Sequence, residues 1–342
     1  MSASDELALS PASGKAVYAS GVHRLAVALT VSVFPLIWVG GLVTTYDAGM
    51  AVPDWPGTYG ENMFAYQAWL FGPFDLMVEH GHRLLGSLSG LLCIGLVVAA
   101  YLRDERVWFR KWSVFVLAAV IAQGVLGGVR VLLDERTAAM IHGCTGPLFF
   151  AIATATAVMS SRWWFERNGQ RIPDRGVGPG AVGQYATGRF IALTASVLTV
   201  TSYCQLIVGA QLRHTTGAVS PNEFKGFVHL HLGLAALVFL VALVLTLSVV
   251  AASGTPKQVR RVSLLLAIVV LCQIGLGIGT WLVNYALPWS ELNATLAAYT
   301  IAAKGYWESM VVTAHQATGS LIISLATVTS MRAWRSRASL GH

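Results

Sequence analysis

Four histidines recur in one pattern, His-x-x-x-Gly, each near the start of a long apolar stretch. The copies are His82–Gly86, His142–Gly146, His229–Gly233 and His315–Gly319. Imidazole transfers protons near neutral pH and is also a common metal ligand. On a helix, each glycine lies one turn from its histidine on the same face and leaves room there for a flat ligand. Four copies on alternate stretches indicate a shared chemical role.

The stretches that carry these histidines are long enough to cross a membrane. The chain has 342 residues, of which 55% are hydrophobic and 11% charged, and its mean hydropathy is +0.62. A soluble domain of this size has more charge on its surface. The sequence therefore predicts an all-α integral membrane protein. The eight predicted spans are 25–45, 78–101, 112–133, 140–161, 190–212, 226–250, 262–283 and 308–331.

The basic residues predict the topology. The net charge is +7, and 17 of the 23 Lys and Arg residues lie near the two termini or in the connections 102–111, 162–189 and 251–261. Positive charge concentrates on the cytoplasmic side, so both termini are expected there. This distribution argues against a nucleic-acid partner. The first 24 residues fit neither a cleaved signal nor a mitochondrial presequence, and the expected location is a bacterial plasma membrane.

The longest inner connection divides the chain. Segment 162–189 contains the run Gly176-Val177-Gly178-Pro179-Gly180 and is predicted to be a flexible linker. It separates two four-helix halves, 25–161 and 190–331, between an N-terminal segment 1–24 and a tail 332–342. Two outer loops rich in aromatic residues, 46–77 and 284–307, are expected to cap a site.

The halves are expected to be pseudo-symmetric because the odd-numbered spans also repeat a pattern. Three of them end outward with Gln-x-x-x-Gly, and the first span has Leu36–Gly40 in that place. The three glutamine copies are Gln123–Gly127, Gln205–Gly209 and Gln273–Gly277.

Paired histidines within a membrane favour haem. A histidine in a span needs a partner, and the ordinary alternative is a hydrogen bond to a neighbouring carbonyl. The ordinary alternative for the glycines is helix packing. Two histidines on different helices of one bundle favour axial ligation of a haem iron. Zinc fits less well because no cysteine or carboxylate cluster completes a tetrahedral set.

The cysteines exclude another kind of haem. Cys93, Cys144, Cys204 and Cys272 all lie inside predicted spans, and no CxxCH motif is present. Covalent c-type attachment is therefore excluded, and the thiols are predicted to be buried as small apolar groups.

The ligand in the sixth span has two candidates. Only His229 keeps the spacing to Gly233, so it is the preferred ligand, with His231 as the alternative. His80 and His214 are expected to be solvated or packed in outer loops, and His23 lies at the inner end. Four basic residues near the outer level are candidates for binding haem propionates, or else membrane-interface anchors: Arg83, Arg130, Arg213 and Lys304.

One acidic residue distinguishes the halves. Glu79 precedes His82 by three residues, whereas the corresponding place in the second half has no carboxylate. This difference predicts chemistry in the first half and electron handling in the second. Glu79 is a candidate proton acceptor or water-positioning group. The alternative is a structural ion pair with Arg83 or Arg130.

These residues resemble the haem A synthase family over roughly 25–331. The resemblance implies oxidation of the C8 methyl of haem O to the formyl of haem A, for terminal oxidases. It also implies a substrate haem between His82 and His142, Glu79 as the essential acid, and a resident haem b between His229 and His315. The motifs that carry it are Glu79-x-x-His82-Arg83, His142-Gly143-Cys144-x-Gly146, Pro53-Asp54-Trp55-Pro56 and Ala314-His315-x-x-x-Gly319.

The sequence departs from the family pattern in two places. Many bacterial members carry a cysteine pair where Val52 and Thr58 stand here, so no loop disulfide can form. The segment Val228-His229-Leu230-His231 also lacks the His-Arg pair of the first half.

The leading hypothesis is an oxidoreductase that hydroxylates the methyl of haem O, with an electron partner in the membrane. The farnesyl transferase that makes haem O and oxidase-assembly proteins are candidate partners, and self-association is compatible with the sequence. A non-catalytic dihaem cytochrome b explains the four ligands but gives Glu79 no purpose. A haem carrier or oxidase-assembly factor is a third hypothesis. A solute transporter ranks last because no discontinuous helix pair is predicted.

Overall fold

The computed structural model describes residues 18–169, 179–214, 219–285 and 305–338. Within these ranges the chain forms nine α-helices and a short 3₁₀ helix, Ala68–Phe71. Eight of the α-helices are long and apolar enough to cross a membrane, which confirms the predicted all-helical class and the eight spans. The α-helices are α1 (Ser20–Thr45), α2 (Phe74–Arg103), α3 (Val107–Leu132), α4 (Arg136–Ser160), α5 (Arg162–Gly169), α6 (Pro179–Arg213), α7 (Pro221–Ala251), α8 (Lys257–Tyr285) and α9 (Tyr306–Ala338).

Most of these helices extend beyond the apolar stretches that predicted them. In lipid every backbone N–H and C=O must be paired, and a helix achieves this internally except at its ends. The ends therefore lie in polar segments that supply caps. The Glu135 side chain accepts a hydrogen bond from the Ala138 amide (2.8 Å) at the start of α4. Ser220 and Glu223 form a reciprocal capping box at the start of α7.

Helices α1–α4 are called the first half, and α6–α9 the second half. In the first half, α1 packs against α2 and α4, and α3 packs against both α2 and α4. Its core includes Leu29, Leu96 and Phe109. The second half has a core of its own, which includes Leu198 and Leu245. Large apolar side chains on the outside of the helices remain exposed, as expected for surfaces that face lipid.

The halves meet through α9, which packs against α1 and α4, and through a smaller contact of α4 with α6. The end of the bundle that carries segment 46–73 is called the outer face. Near it, the Thr45 and Thr313 hydroxyls are 3.2 Å apart. A Cβ at Gly41 would lie 2.9 Å from the Thr313 methyl, so glycine allows α1 and α9 to approach closely here.

The segment predicted to be a flexible linker is partly helical. Residues Arg162–Gly169 form α5, and α6 already begins at Pro179, while residues 170–178 lie outside the described ranges. The Arg106 guanidinium lies 3.9 Å from the Phe165 ring centre and pairs with Asp104 (2.6 Å). This buried ion pair gives α5 a packing partner that the sequence pattern did not reveal.

Two of the cysteine predictions were wrong. Cys93 and Cys144 are buried as predicted, but Cys204 and Cys272 are exposed. A membrane protein places apolar residues on its lipid-facing surface as well as in its core, so hydrophobicity along the sequence cannot distinguish the two positions.

Candidate functional site

Two pairs of imidazoles face each other toward the outer face. His82 of α2 and His142 of α4 have ring centres 6.3 Å apart and planes inclined by 82°. His231 of α7 and His315 of α9 also have ring centres 6.3 Å apart, with planes inclined by 65°. The structure thus brings together His82 with His142 as the sequence predicted, and gives each half one pair.

The separation within each pair suits a metal ion held between two imidazoles. Metal–imidazole bonds measure about 2.0–2.1 Å, and each ring centre lies about 1.1 Å beyond its nitrogen, so the centres of two opposed ligands are about 6.2–6.4 Å apart. Both observed distances fall in this range. Among the described residues, no cluster of three or more His, Cys, Asp or Glu side chains is placed to hold a metal ion. Two protein ligands per site fit haem iron and do not fit structural zinc.

Each paired imidazole packs against a glycine of the helix that precedes its own helix in the same half. A Cβ at Gly40 would lie 2.7 Å from the Cε1 of His82, and at Gly127 it would lie 3.0 Å from that of His142. The corresponding distances are 3.0 Å for Gly209 with His231 and 3.1 Å for Gly277 with His315. Any side chain at these positions would displace the imidazole. The repeated Gln-x-x-x-Gly pattern was visible in the sequence, but this role of its glycine was missed.

The His82 ring is also hydrogen-bonded to the backbone of Leu36, which takes the first place of this pattern in α1. The Nδ1 of His82 lies 3.1 Å from the Leu36 carbonyl oxygen, so Nδ1 carries the proton and donates it. The Nδ1 atoms of His142, His231 and His315 are buried and have no hydrogen-bond partner among the described residues. In His82 the carbonyl at Nδ1 leaves Nε2 as the metal-binding nitrogen.

One group competes for that nitrogen in the second half. The side-chain amide nitrogen of Gln205 lies 3.2 Å from the Nε2 of His231. A metal ion bound at this Nε2 would replace the contact.

The structure does not support His229, the ligand that the sequence preferred in the sixth span. His229 is exposed, and His231 is the residue opposite His315. The sequence argument used the glycine four residues later on the same helix, but the close contact is with Gly209 on the facing helix. His231, the alternative ligand, makes that contact.

The four glycines of the His-x-x-x-Gly copies are not equivalent. A Cβ built at Gly86 or Gly233 has no neighbour within 4 Å, so both border open space. A Cβ at Gly146 or Gly319 would lie 3.3 Å from the side-chain amide nitrogen of Gln123 or Gln273. Of these four glycines, only Gly86 of α2 and Gly233 of α7 border open space.

Glu79 and Arg83 form a buried ion pair. Their side chains are only 4% and 9% exposed, and Arg83 Nη2 lies 3.0 Å from Glu79 Oε1. The second carboxylate oxygen accepts the Val52 amide (2.9 Å). The structure therefore contains the ion pair with Arg83 that the sequence offered as the alternative role of Glu79.

Arg83 binds the backbone of the outer loop, which is defined here as residues 46–73. Its Nη1 donates to the carbonyls of Asp54 (2.7 Å) and Gly57 (3.0 Å), and its Nη2 donates to Val52 (2.8 Å). With Glu79 these contacts occupy four of the five guanidinium N–H groups, and only Nε–H remains. This geometry favours a structural role for Arg83 over the haem-binding role predicted for it.

The outer loop is also held at other points. Arg130 Nη2 donates to the Gly49 carbonyl (2.8 Å), and a Cβ at Gly128 would overlap the Trp55 indole. His80 is fully buried, with its ring stacked on Trp69 at 5.2 Å between centres, so it packs in the outer loop. Val52 and Thr58, which stand in place of the family's cysteine pair, are fully buried. Hydrogen bonds and packing contacts therefore hold the outer loop in place without a disulfide.

Asp54 closes a turn within this loop, and we expect the turn to loosen in acid. Its carboxylate accepts the amides of Tyr59 (2.7 Å) and Gly60 (2.9 Å). Partial burial opposes ionisation, but these amides and the Arg83 charge outweigh it and lower the pKa of Asp54 below its ordinary 3.8. The stabilisation is therefore complete above pH 3.8 and is lost as the pH falls through the lower folded value.

Hydrogen exchange at the Tyr59 and Gly60 amides, corrected for intrinsic pH dependence, measures this loosening. Asp54→Asn is expected to show weak protection at every pH. Equal, pH-independent protection in both proteins would contradict the prediction.

Arg213 reaches across the boundary between the halves. Its guanidinium donates to the Gly41 carbonyl (2.8 Å) and also bonds Thr45 of α1 and Gln316 of α9. Gln316 directly follows His315, and Gly41 directly follows the glycine under His82. Arg213 therefore links the surroundings of both histidine pairs, whereas the sequence predicted it as a propionate partner or a membrane-interface anchor.

A cleft of about 480 Å³ opens beside Arg213 at the outer face, lined also by Arg130, Arg136 and His214. Burial, together with the charges of these three arginines, lowers the pKa of His214. Arg130 lies on α3 three residues after Gly127, which packs against the His142 imidazole. A role of Arg130 in binding a haem propionate stays a prediction. Lys304, the fourth predicted candidate, lies outside the described residues.

The fold and these sites together define a class: a polytopic membrane protein with one pair of opposed histidines in each four-helix half. The sequence profile of the COX15-CtaA family, described as cytochrome oxidase assembly protein, matches residues 23–304. The chain belongs to this family, as its motifs predicted.

Two bacterial relatives are called heme A synthase. The protein of Shouchella clausii (strain KSM-K16) is 25% identical over 207 residues, which cover 60% of this chain and 63% of the relative. That of Symbiobacterium thermophilum is 27% identical over 187 residues, which cover 54% of this chain and 56% of the relative. Each match thus spans less than two thirds of the relative's length.

Proposed function

We propose that this protein is a haem A synthase, which oxidises the C8 methyl group of haem O to the formyl group of haem A. The observation that carries the proposal is the His82–His142 pair, spaced at 6.3 Å, in the half whose outer loop is anchored by buried Glu79. Family membership and the two heme A synthase relatives support it. With water as the oxygen source, two hydroxylations and the loss of one water convert the methyl to a formyl group and release four electrons and four protons, so an electron acceptor in the membrane is required.

The proposed roles follow the geometry. His82 and His142 hold the substrate haem, and His231 and His315 hold a resident haem b. When bound, the haem iron supplies the redox chemistry. The glycines packed against the imidazoles, and the Leu36 carbonyl at Nδ1 of His82, fix the ligands in orientation. The outer loop excludes water from the first site, and Glu79 fixes that loop and is the carboxylate nearest in sequence to His82.

The setting is proposed on the same basis. The chain crosses a bacterial plasma membrane with both termini in the cytoplasm, so the histidine pairs lie near the opposite surface. Haem O arrives from the farnesyl transferase that makes it, and haem A leaves for terminal oxidases and their assembly proteins.

Pigment extraction tests the activity. Expressed in a host that makes haem O but no haem A, the protein is expected to yield haem A, identified by chromatography and by the pyridine haemochrome spectrum. His82→Ala is the matched control and is expected to leave haem O unconverted. If the wild-type protein yields only haem O while both sites are filled, the result would favour the dihaem cytochrome. The observation that supports this second candidate is the identical spacing of the two histidine pairs.

A further inference from the structure

An apolar groove of about 510 Å³ runs along the seam between α1 and α2 at the outer face. Every residue that lines it is apolar. Leu42 and Val78 form a buried floor, and Trp69 and Phe74 lie at the end nearest the outer loop. The groove is not part of either histidine pair, and nothing in the roles assigned so far uses it.

We propose that this groove binds the isoprenoid tail of the substrate haem. The inference rests on the proposed function, because haem O differs from haem B by a farnesyl-derived chain in place of one vinyl group. That chain is a hydrocarbon without charge, and it matches a lining without polar side chains. The groove would thereby distinguish haem O from haem B.

The groove adjoins the site of the substrate ring. Val78 precedes His82 by four residues and Leu85 follows it by three, so both share the helical face of His82, and both line the groove. On α1, Val39 lines the groove and is the neighbour of Gly40, against which the His82 imidazole packs. A ring held at His82 can therefore extend its tail directly into the groove.

The second half lacks two features of this groove. Gly81 lines it, and a Cβ built there has no neighbour within 4 Å. Leu230, which precedes His231 as Gly81 precedes His82, is a large side chain and 50% exposed. In addition, 28 residues (46–73) join α1 to α2 and supply Trp69, whereas only residues 214–220 join α6 to α7. A resident haem b has no isoprenoid tail and needs neither feature.

Selectivity in this groove comes from shape. Moving a hydrocarbon chain from lipid into an apolar groove gains little hydrophobic free energy, because the lipid is equally apolar. The gain comes from close contacts with a preformed surface. A side chain that fills the groove is therefore expected to remove the preference for the tail without affecting a haem that has none.

Haem titration of purified, detergent-solubilised protein whose second site holds haem b tests this. The difference spectrum reports uptake at the first site, with haem O or haem B as the probe. Wild type is expected to bind haem O more tightly than haem B. Gly81→Leu is expected to weaken haem O binding about tenfold and to leave haem B binding unchanged. Gly90→Leu is the matched control, because Gly90 is also on α2 and a Cβ there has no neighbour within 4 Å, but it does not line the groove.

Three results would overturn the proposal: equal affinity of wild type for both haems, equal weakening of both by Gly81→Leu, or the same effect from Gly90→Leu. Equal affinity together with a phospholipid that copurifies in wild type but not in Gly81→Leu would identify the groove as a lipid site. Preferential binding of haem O without conversion would support the role of the groove and refute the proposed activity. Conversion without preference would refute the groove alone.

Discussion

Replacement of His231 by alanine is expected to remove one of two haems from the purified protein, whereas His229→Ala leaves both. His231 faces His315 at 6.3 Å between ring centres, and His229 is exposed. A haem that loses one of two axial ligands in a membrane bundle loses much of its binding free energy. The alanine also leaves a gap where the imidazole contacts Gly209.

The pyridine haemochrome, expressed as haem per protein, measures this loss. His142→Ala is the matched variant in the first half and is expected to remove the other haem, so the two spectra should add up to that of wild type. Retention of both haems in His231→Ala, with loss of one in His229→Ala, would identify His229 as the ligand instead.

Spacing along one helix could not make this choice. Residues 229 and 231 both fall within a turn of the same apolar stretch, and both precede Gly233. The contact that selects between them lies on another helix, at Gly209. By contrast, the spans themselves were predictable, because lipid requires a long uninterrupted apolar helix and that length is visible in the sequence.

The fixing of the outer loop shows the same limit. The Glu79–Arg83 pair is visible as an i, i+4 arrangement. Its additional partners are backbone groups of Val52, Asp54 and Gly57, which have no signature of residue type. The sequence therefore indicated an ion pair as an alternative, but it did not indicate that the pair binds the backbone of the outer loop.

Removal of the Glu79 carboxylate is expected to release this loop. Glu79→Ala leaves the Arg83 guanidinium, 9% exposed, without its counter-charge, and the Val52 amide without its acceptor. Breaking a buried ion pair from one side typically costs about 3–5 kcal/mol. Glu79→Ala/Arg83→Met removes both charges and is expected to be less destabilised than the sum of the single changes. Thermal unfolding in detergent measures the stability, and hydrogen exchange of residues 46–58 measures the loop.

Glu79→Gln separates a positioning role from proton transfer. Its amide keeps the shape, but only its oxygen can accept a hydrogen bond, so either Arg83 or the Val52 amide loses its partner. If Glu79 acts through the loop, haem A formation and loop protection fall together in Glu79→Gln and in Arg83→Met. If Glu79 transfers a proton, Glu79→Gln abolishes haem A formation while a firmly held loop remains protected. Normal loop protection in Glu79→Ala would refute the anchoring role, because this change removes both the counter-charge of Arg83 and the acceptor of the Val52 amide.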